Sequence, residues 1–358
     1  MQRHGFLYEH TFSRAGLWQG YCDARRSKGG RRACFQFERH LGSELEALHE
    51  ELATGRYRPK PYFQFMVYEP KPRTIHAPAF RDCVVQHAIY NAVRPIFDRT
   101  FIDTSFACRP GRGTHMAADY AQAALQRSAP GSYTLQLDIR KFFYRINRQT
   151  LRRLVERRLK DQRLIDVMMM FAAGPGDVGI PIGNLLSQLY ALIYMNPVDH
   201  FVTRQLKPAS GYCRYVDDFI LFGLTRQQAV DHRQRIIEFL HDNLQLELSR
   251  GTIAPTRRGV NFVGFRTWAN ARFVRKHSLF KARRAIKSGS LPAIMSHLGH
   301  ARQTHSLRHL ITLIREQNHA VYRALPEAYH PRNHPRAAGA RGLDRAMPDR
   351  RLDVCEPA

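Results

Sequence analysis

The stretch YCRYVDDFILF, residues 212 to 222, constrains this chain more than any other. Aromatic and β-branched residues on both sides of Asp217 and Asp218 favour strand, and the acidic doublet interrupts them where a tight turn belongs. The pattern predicts two carboxylates at the tip of a β-hairpin. Side-by-side carboxylates repel each other and resist burial unless a cation compensates them. Mg²⁺ is the natural cation, because it prefers oxygen ligands, keeps several waters and is usually completed by substrate phosphates. A third carboxylate is therefore expected elsewhere.

Asp138 closes the run YTLQLD and precedes IRKFFYRI. A second strand of buried type ending in an acid would bring Asp138 beside the hairpin tip in a shared sheet. Three acids on adjacent strands can hold two metals, one activating an attacking hydroxyl and one stabilising a leaving pyrophosphate.

YVDD, together with Asp138 and Phe143 five residues apart, resembles the catalytic core of reverse transcriptases. The element GIPIGNLLSQ, residues 179 to 188, narrows the resemblance. Most reverse transcriptases carry Gln before its second Gly and Ser-Pro at its end; here Ile182 precedes Gly183, and Ser187-Gln188 closes it. That variant is similar to the reverse transcriptases of diversity-generating retroelements, relatives of group II intron enzymes, from about residue 60 to about residue 320.

The resemblance implies an α+β right-hand polymerase with fingers, palm and thumb, a palm antiparallel sheet backed by helices and a helical thumb. Residues 1–60 are expected as a basic N-terminal extension, 61–132 and 149–182 as fingers, and 133–148 with 183–270 as palm. A thumb over 271–324 and a disordered tail over 325–358 complete the expected layout. Asp138, Asp217 and Asp218 are the implied catalytic residues, and these with Ile139 the implied ligands of two Mg²⁺ ions, for which Mn²⁺ can substitute. Lys71, Arg73, Phe142, Phe143, Ile182, Gly183 and Gln188 are the implied nucleotide contacts, with Phe143 as the steric gate that excludes a 2′-hydroxyl. Arg109, Arg112, Gly264, Lys276, Lys281, Arg283 and Arg284 are the implied template and primer contacts. An aliphatic Ile182 cannot hydrogen-bond near the nucleotide as an amide does, which fits the family's unfaithful copying of template adenines.

The implied partners are a structured noncoding template RNA, the cDNA and its RNA–DNA duplex, dNTPs and a small basic accessory protein. The implied biology is targeted gene diversification. Antiviral defence with a dedicated noncoding RNA uses the same chemistry, and a non-catalytic RNA-binding scaffold is the reading from another class. Intact acids at 138, 217 and 218 argue against the scaffold.

Composition agrees with a nucleic-acid partner. A net charge of +26 and a pI near 10.5 imply a polyanion, although a ribosomal-type binding protein would share them. The six cysteines show no CxxC pair and suit reduced cytoplasmic thiols. With no signal-peptide pattern and no run near the roughly 18 apolar residues of a membrane span, a soluble cytoplasmic protein is expected.

Several elements are legible locally. GSELEALHEELATG, 42 to 55, reads as a helix capped by Ser43 with Glu46 completing a capping box and Gly55 as the stop. YFQFMVYEPKPRTIHAP, 62 to 78, reads as a hairpin, and 80 to 97 as a buried helix with Val84, Ala88 and Val93 on its stripe. RPGRGTH opens a further helix at a loop suited to phosphate. Gly179 and Gly183 are expected to admit a base pair against bare backbone, before an apolar helix from about 184 to 204. RGVNFVGFRTW, 258 to 268, resembles the primer-grip hairpin, and a basic helical region follows over 278 to 323. His297, His300, His305 and His309 lack the partners a zinc site needs.

Overall fold

The computed structural model describes residues 3–26, 28–68, 72–174 and 176–330. Alternating apolar residues at 62 to 78 form the expected hairpin, with β1 (Phe63–Val67) antiparallel to β2 (Arg73–Ala77). The four-stranded sheet that follows is built from β3 (Tyr133–Ile139), β4 (Gly211–Tyr215), β5 (Asp218–Leu224) and β6 (Leu248–Pro255). Its order is β4-β5-β3-β6 and every pairing is antiparallel. The chain is thus α+β, with the Asp138 strand between its two neighbours.

Period-two alternation sorts the side chains of this sheet into two cores. Leu135, Leu137, Ile139, Phe219 and Leu221 face helices Leu185–Phe201 and Arg226–Leu244 in the larger core. Each such fully buried side chain contributes roughly 1.5–3 kcal/mol. Cys213, Ile220 and Phe222 face the other way, toward helix Thr114–Arg127. A small sheet of β7 (Val260–Phe262), β8 (Phe265–Thr267) and β9 (Arg272–Val274) adds Val260 and Phe262 to that second core. The β7–β8 turn is Val263-Gly264, both at positive φ (43° and 91°), as a two-residue hairpin turn requires.

Residues 1–60 are not an appended extension. Their helices, Tyr8–Thr11, Arg14–Arg25, Arg32–Glu38 and Leu41–Ala53, bury Leu17, Tyr21, Leu48 and Leu52 in the larger core. Gly20 lies so close to helix Phe80–Asp98 that a Cβ would stand 2.6 Å from the Val84 carbonyl. The expected cap also shifts. The helix begins at Leu41, which packs against the core, so His40 is the N-cap and Ser43 falls in the first turn, its hydroxyl donating to the His40 carbonyl. Gly55, at φ +73°, sits just past the last helical turn.

Helix Phe80–Asp98 buries Val84, Ala88 and Val93 as the stripe predicts. Helix Leu185–Phe201 starts at Asn184, whose side chain accepts from the Ser187 amide, and runs into a π-turn over Val202–Leu206.

A second compact unit comprises Lys276–Arg302 and the chain from Ser306. Its helices Lys276–Ser288, Leu291–Ala301 and Ser306–Gln317 bury Ala282, Ile286, Ile294, Leu298, Leu310 and Ile314, and helix His319–Ala324 follows. The segment expected as tail starts with placed residues: Leu325 is buried and Glu327–Tyr329 forms a 3₁₀ turn. Residues 331–358 lie outside the described residues. Among the described residues no helix is long and apolar enough to cross a membrane.

Candidate active site

The tip of the β4–β5 hairpin is a two-residue turn, Val216-Asp217, closed by the Tyr215–Asp218 pair. Val216 adopts φ +57°, a left-handed conformation that costs a β-branched residue about 1–3 kcal/mol. It is held there from below. Arg214, fully buried, donates to the Val216 carbonyl at 2.8 Å and forms a bidentate ion pair with the equally buried Asp199 at 2.7 and 2.5 Å. Tyr212 donates its hydroxyl to the same carboxylate at 2.7 Å.

The sheet register brings the third acid to this tip. Asp138 lies directly opposite Asp218, and the Ile139 amide donates to the Asp217 carbonyl at 3.2 Å. Residues directly opposite in an antiparallel pair share a face, so the Asp138 and Asp218 side chains project together. Gln136, two residues earlier on that face, donates to the Asp218 carboxylate at 2.9 Å and to the Asn261 carbonyl at 2.8 Å. Ser249, on the neighbouring strand, donates to the Asp138 carboxylate.

Charge at this cluster is under-compensated. Burial, and after it the Asp138 charge, holds the Asp217 carboxyl above the usual carboxylate range. Burial above all pushes Asp218 up to about 7, with Gln136 and Arg275 opposing and the two neighbouring acids adding. Among the described residues no group of three or more His, Cys, Asp or Glu side chains forms a ready-made metal cage. Crowded acids with few donors fit a divalent ion whose remaining ligands come from water and phosphate. Asp138 and Asp218, paired across the sheet, with Asp217 at the adjoining turn and the Ile139 backbone beside them, are the residues that could hold such ions.

The other expected site residues divide. Arg73, on β2 and exposed, is near enough to Asp217 to oppose its upward shift. Lys71 lies outside the described residues. Phe143 is partly buried and its carbonyl accepts from Ile180 at 2.9 Å. Phe142 is 2 % exposed and its ring packs on Tyr194, so it is a core residue rather than a nucleotide contact. Ile182 accepts the His76 amide at 2.7 Å through its carbonyl, which joins the Gly-rich element to β2. Gly183 is at φ +117°, and a Cβ there would meet Ile75 Cγ2 at 2.7 Å. Its bareness therefore admits the β1–β2 hairpin, not a base pair. A Cβ at Gly179 would stand 3.2 Å from the Tyr144 carbonyl. Gln188 is exposed.

Arg109, expected on the template, is turned inward: it pairs with Asp98 at 2.7 Å and donates to the Ile102 and Ser105 carbonyls, with its side chain 6 % exposed. Arg112 pairs with Asp103 at 2.7 Å. Both guanidiniums staple their loop, because a loop dense in carbonyls and flanked by acids offers them partners at short range. Gly264 accepts the Arg275 amide at 3.2 Å. In the second unit Lys276, Arg283 and Arg284 are exposed and Lys281 is half-buried.

Sequence reasoning missed Gln136, Asp199, Arg214, Ser249 and Arg275. Gln136 could have been found from strand periodicity, two residues before Asp138. Arg275, half-buried, with burial lowering its pKa against the opposing Asp218 charge, has no local signal.

The sequence model described as reverse transcriptase (RNA-dependent DNA polymerase) matches residues 59–267. The chain belongs to the reverse transcriptase family. This reverse transcriptase is 28% identical over 296 residues to protein YkfC of Escherichia coli, covering 69% of this chain and 76% of that one. It is 28% identical over 177 residues to the group II intron-encoded protein LtrA of Lactococcus lactis subsp. cremoris, covering 46% of this chain and 29% of LtrA. A structure of telomerase from Candida albicans, in complex with a telomeric RNA fragment, aligns at a TM-score of 0.46 and 12% identity, over 75% of this chain and 55% of that one. The matched segment of this reverse transcriptase contains all three acids of the cluster. Its family activity is RNA-directed DNA polymerisation, and its family uses divalent metal ions.

Proposed function

We propose that this reverse transcriptase extends a primer 3′-hydroxyl on a structured noncoding RNA, with Asp138 and Asp217 as the principal metal-holding carboxylates and Asp218 in support. The observation that carries the reading is the register that sets Asp138 opposite Asp218 while the next amide, Ile139, bonds the Asp217 carbonyl. Two Mg²⁺ ions bound there, or Mn²⁺ in their place, would activate the primer hydroxyl and take up charge on the leaving pyrophosphate. The chain's own residues do the positioning. Arg214 and Asp199 fix the turn that presents Asp217, and Gln136 orients Asp218. Arg73, near enough to Asp217 to oppose its upward shift, would receive the triphosphate, and the partly buried Phe143 would be the gate against a 2′-hydroxyl.

In this reading residues 133–148 and 183–270 act as palm, 61–132 and 149–182 as fingers, and 271–324 as thumb. Lys276, Lys281, Arg283 and Arg284 would then track the duplex phosphates. The Ile182 variant of the Gly-rich element supports diversification by error-prone copying of adenines, with a small basic accessory protein as partner. Antiviral defence is the competing use of the same chemistry. Primer extension with purified protein on an RNA template, followed by sequencing of the cDNA and of the copurifying RNA, tests the reading. DNA synthesis with errors at adenines supports it, and no synthesis on any RNA contradicts it.

A further inference from the structure

A cavity of about 390 Å³ opens where helices Phe80–Asp98 and Arg148–Glu156 end against the flank of helix Leu185–Phe201. It shares no residue with the carboxylate site. Arg99, Arg157, Arg158 and Arg204 line it, no acidic residue does, and among the described residues none of these guanidiniums has a carboxylate partner. Part of that charge answers the helix ends, each worth about half a negative charge. Four guanidiniums exceed two such ends, so a net attraction for an anion remains.

The interior is built differently from the rim. Phe97, Phe101, Leu154 and Ile193 give it an apolar floor. Asn196 also lines it, and its Oδ1 is buried with no hydrogen-bond partner among the described residues. A buried acceptor left unpaired is costly and calls for a donor. Asn196 Nδ2 donates to the Thr100 hydroxyl at 3.3 Å, and a ring nitrogen of His200 lies 3.0 Å from the Thr100 carbonyl, so the polar wall is braced. The volume falls within the roughly 300–1,000 Å³ of small-molecule pockets.

A cationic rim, an apolar floor and an unpaired acceptor on Asn196 together match a ligand with a phosphate, an apolar ring and a donor group. We propose that this cavity is a nucleotide pocket separate from the polymerase site. It takes a single nucleoside phosphate, free in solution or unstacked from an RNA strand, with phosphate on the arginine rim, base on the apolar floor and an amine or hydroxyl on Asn196. The proposal stands whether or not the carboxylate cluster polymerises DNA.

The test is equilibrium binding of AMP to the full chain without divalent ions, beside inorganic phosphate as the charge control. AMP is expected to bind saturably and at least tenfold more tightly than phosphate. Arg157→Glu and Arg204→Glu, at exposed positions that leave the core untouched, are expected to weaken AMP tenfold or more. Asn196→Leu keeps the charge and is expected to weaken AMP while leaving phosphate unchanged. Photo-crosslinking of a single-stranded RNA containing 4-thiouridine separates the two sources. Crosslinks within residues 193–204 that disappear in Arg204→Glu assign an RNA nucleotide; saturable AMP binding without them assigns a free one. Phosphate binding as tightly as AMP, AMP affinity unmoved by the charge reversals, or neither AMP binding nor crosslinks there overturns the proposal.

Discussion

Arg214 and Asp199 form a fully buried bidentate ion pair, and the third Arg214 nitrogen donates to the carbonyl of Val216, the strained residue that turns the chain toward Asp217. The pair links the end of helix Leu185–Phe201 to the hairpin tip. Arg214→Met strands the Asp199 charge in the core and is expected to cost about 3–5 kcal/mol. Arg214→Met with Asp199→Asn removes the buried charge and recovers most of that stability while leaving Val216 unsupported. Thermal melting and single-turnover primer extension check this together. The double variant is expected to fold and to extend at least tenfold more slowly, and full-speed extension would show that the turn needs no support.

Gly183→Ala is expected to destabilise the protein by about 1–3 kcal/mol, because the added Cβ meets Ile75 Cγ2 at 2.7 Å and the backbone sits at φ +117°. The contact is with β2, which also carries Arg73. The variant should therefore raise the KM for dNTP more than it lowers affinity for RNA. Denaturant melts, dNTP titrations and RNA binding read out the three effects.

Asp218 gives a pH signature. Its folded pKa, about 7, is raised above the ordinary value of 3.8, so the folded state holds a proton that the unfolded state releases in between. The associated stability is fully present below about pH 4 and is lost as pH rises through about 7. Metal-free wild type should lose on the order of 2–4 kcal/mol relative to Asp218→Asn across that window. A divalent ion held by the proposed site would favour the deprotonated acids, so it should stabilise wild type more at pH 8 than at pH 5. Melting curves of both proteins, with and without the ion, measure the slope.

The hairpin tip was legible because its signals are local: strand formers, then two acids, then strand formers. The β1–β2 and β7–β8 hairpins and the stripe of helix Phe80–Asp98 were legible for the same reason. What pattern does not encode is which way a side chain turns once partners arrive from elsewhere. Arg109 looks like a phosphate ligand until Asp98 and two carbonyls surround it. Phe142 and Phe143 are the same residue type, and the turn at Lys141, at φ +48°, sends the first into the core and leaves the second partly accessible. Asp199 gave no hint of its role, since its partner Arg214 lies across a π-turn and a loop.

Ile182 holds β2 through its carbonyl, a bond that any residue can make, so its side chain is free to vary without loss of the fold. Ile182→Gln is expected to leave stability within about 1 kcal/mol, since the position is only half-buried. Misincorporation opposite template adenines should fall several-fold. Sequencing the cDNA of both proteins on one RNA template decides it, and an unchanged adenine error rate would remove Ile182 from the explanation.

Single-turnover primer extension on an RNA template by Asp217→Ala tests the account most directly. With Asp138 and Asp218 left in place and the fold verified by melting, the rate of DNA synthesis is expected to fall at least a thousandfold, about 4 kcal/mol of transition-state stabilisation. Synthesis at the wild-type rate would contradict it.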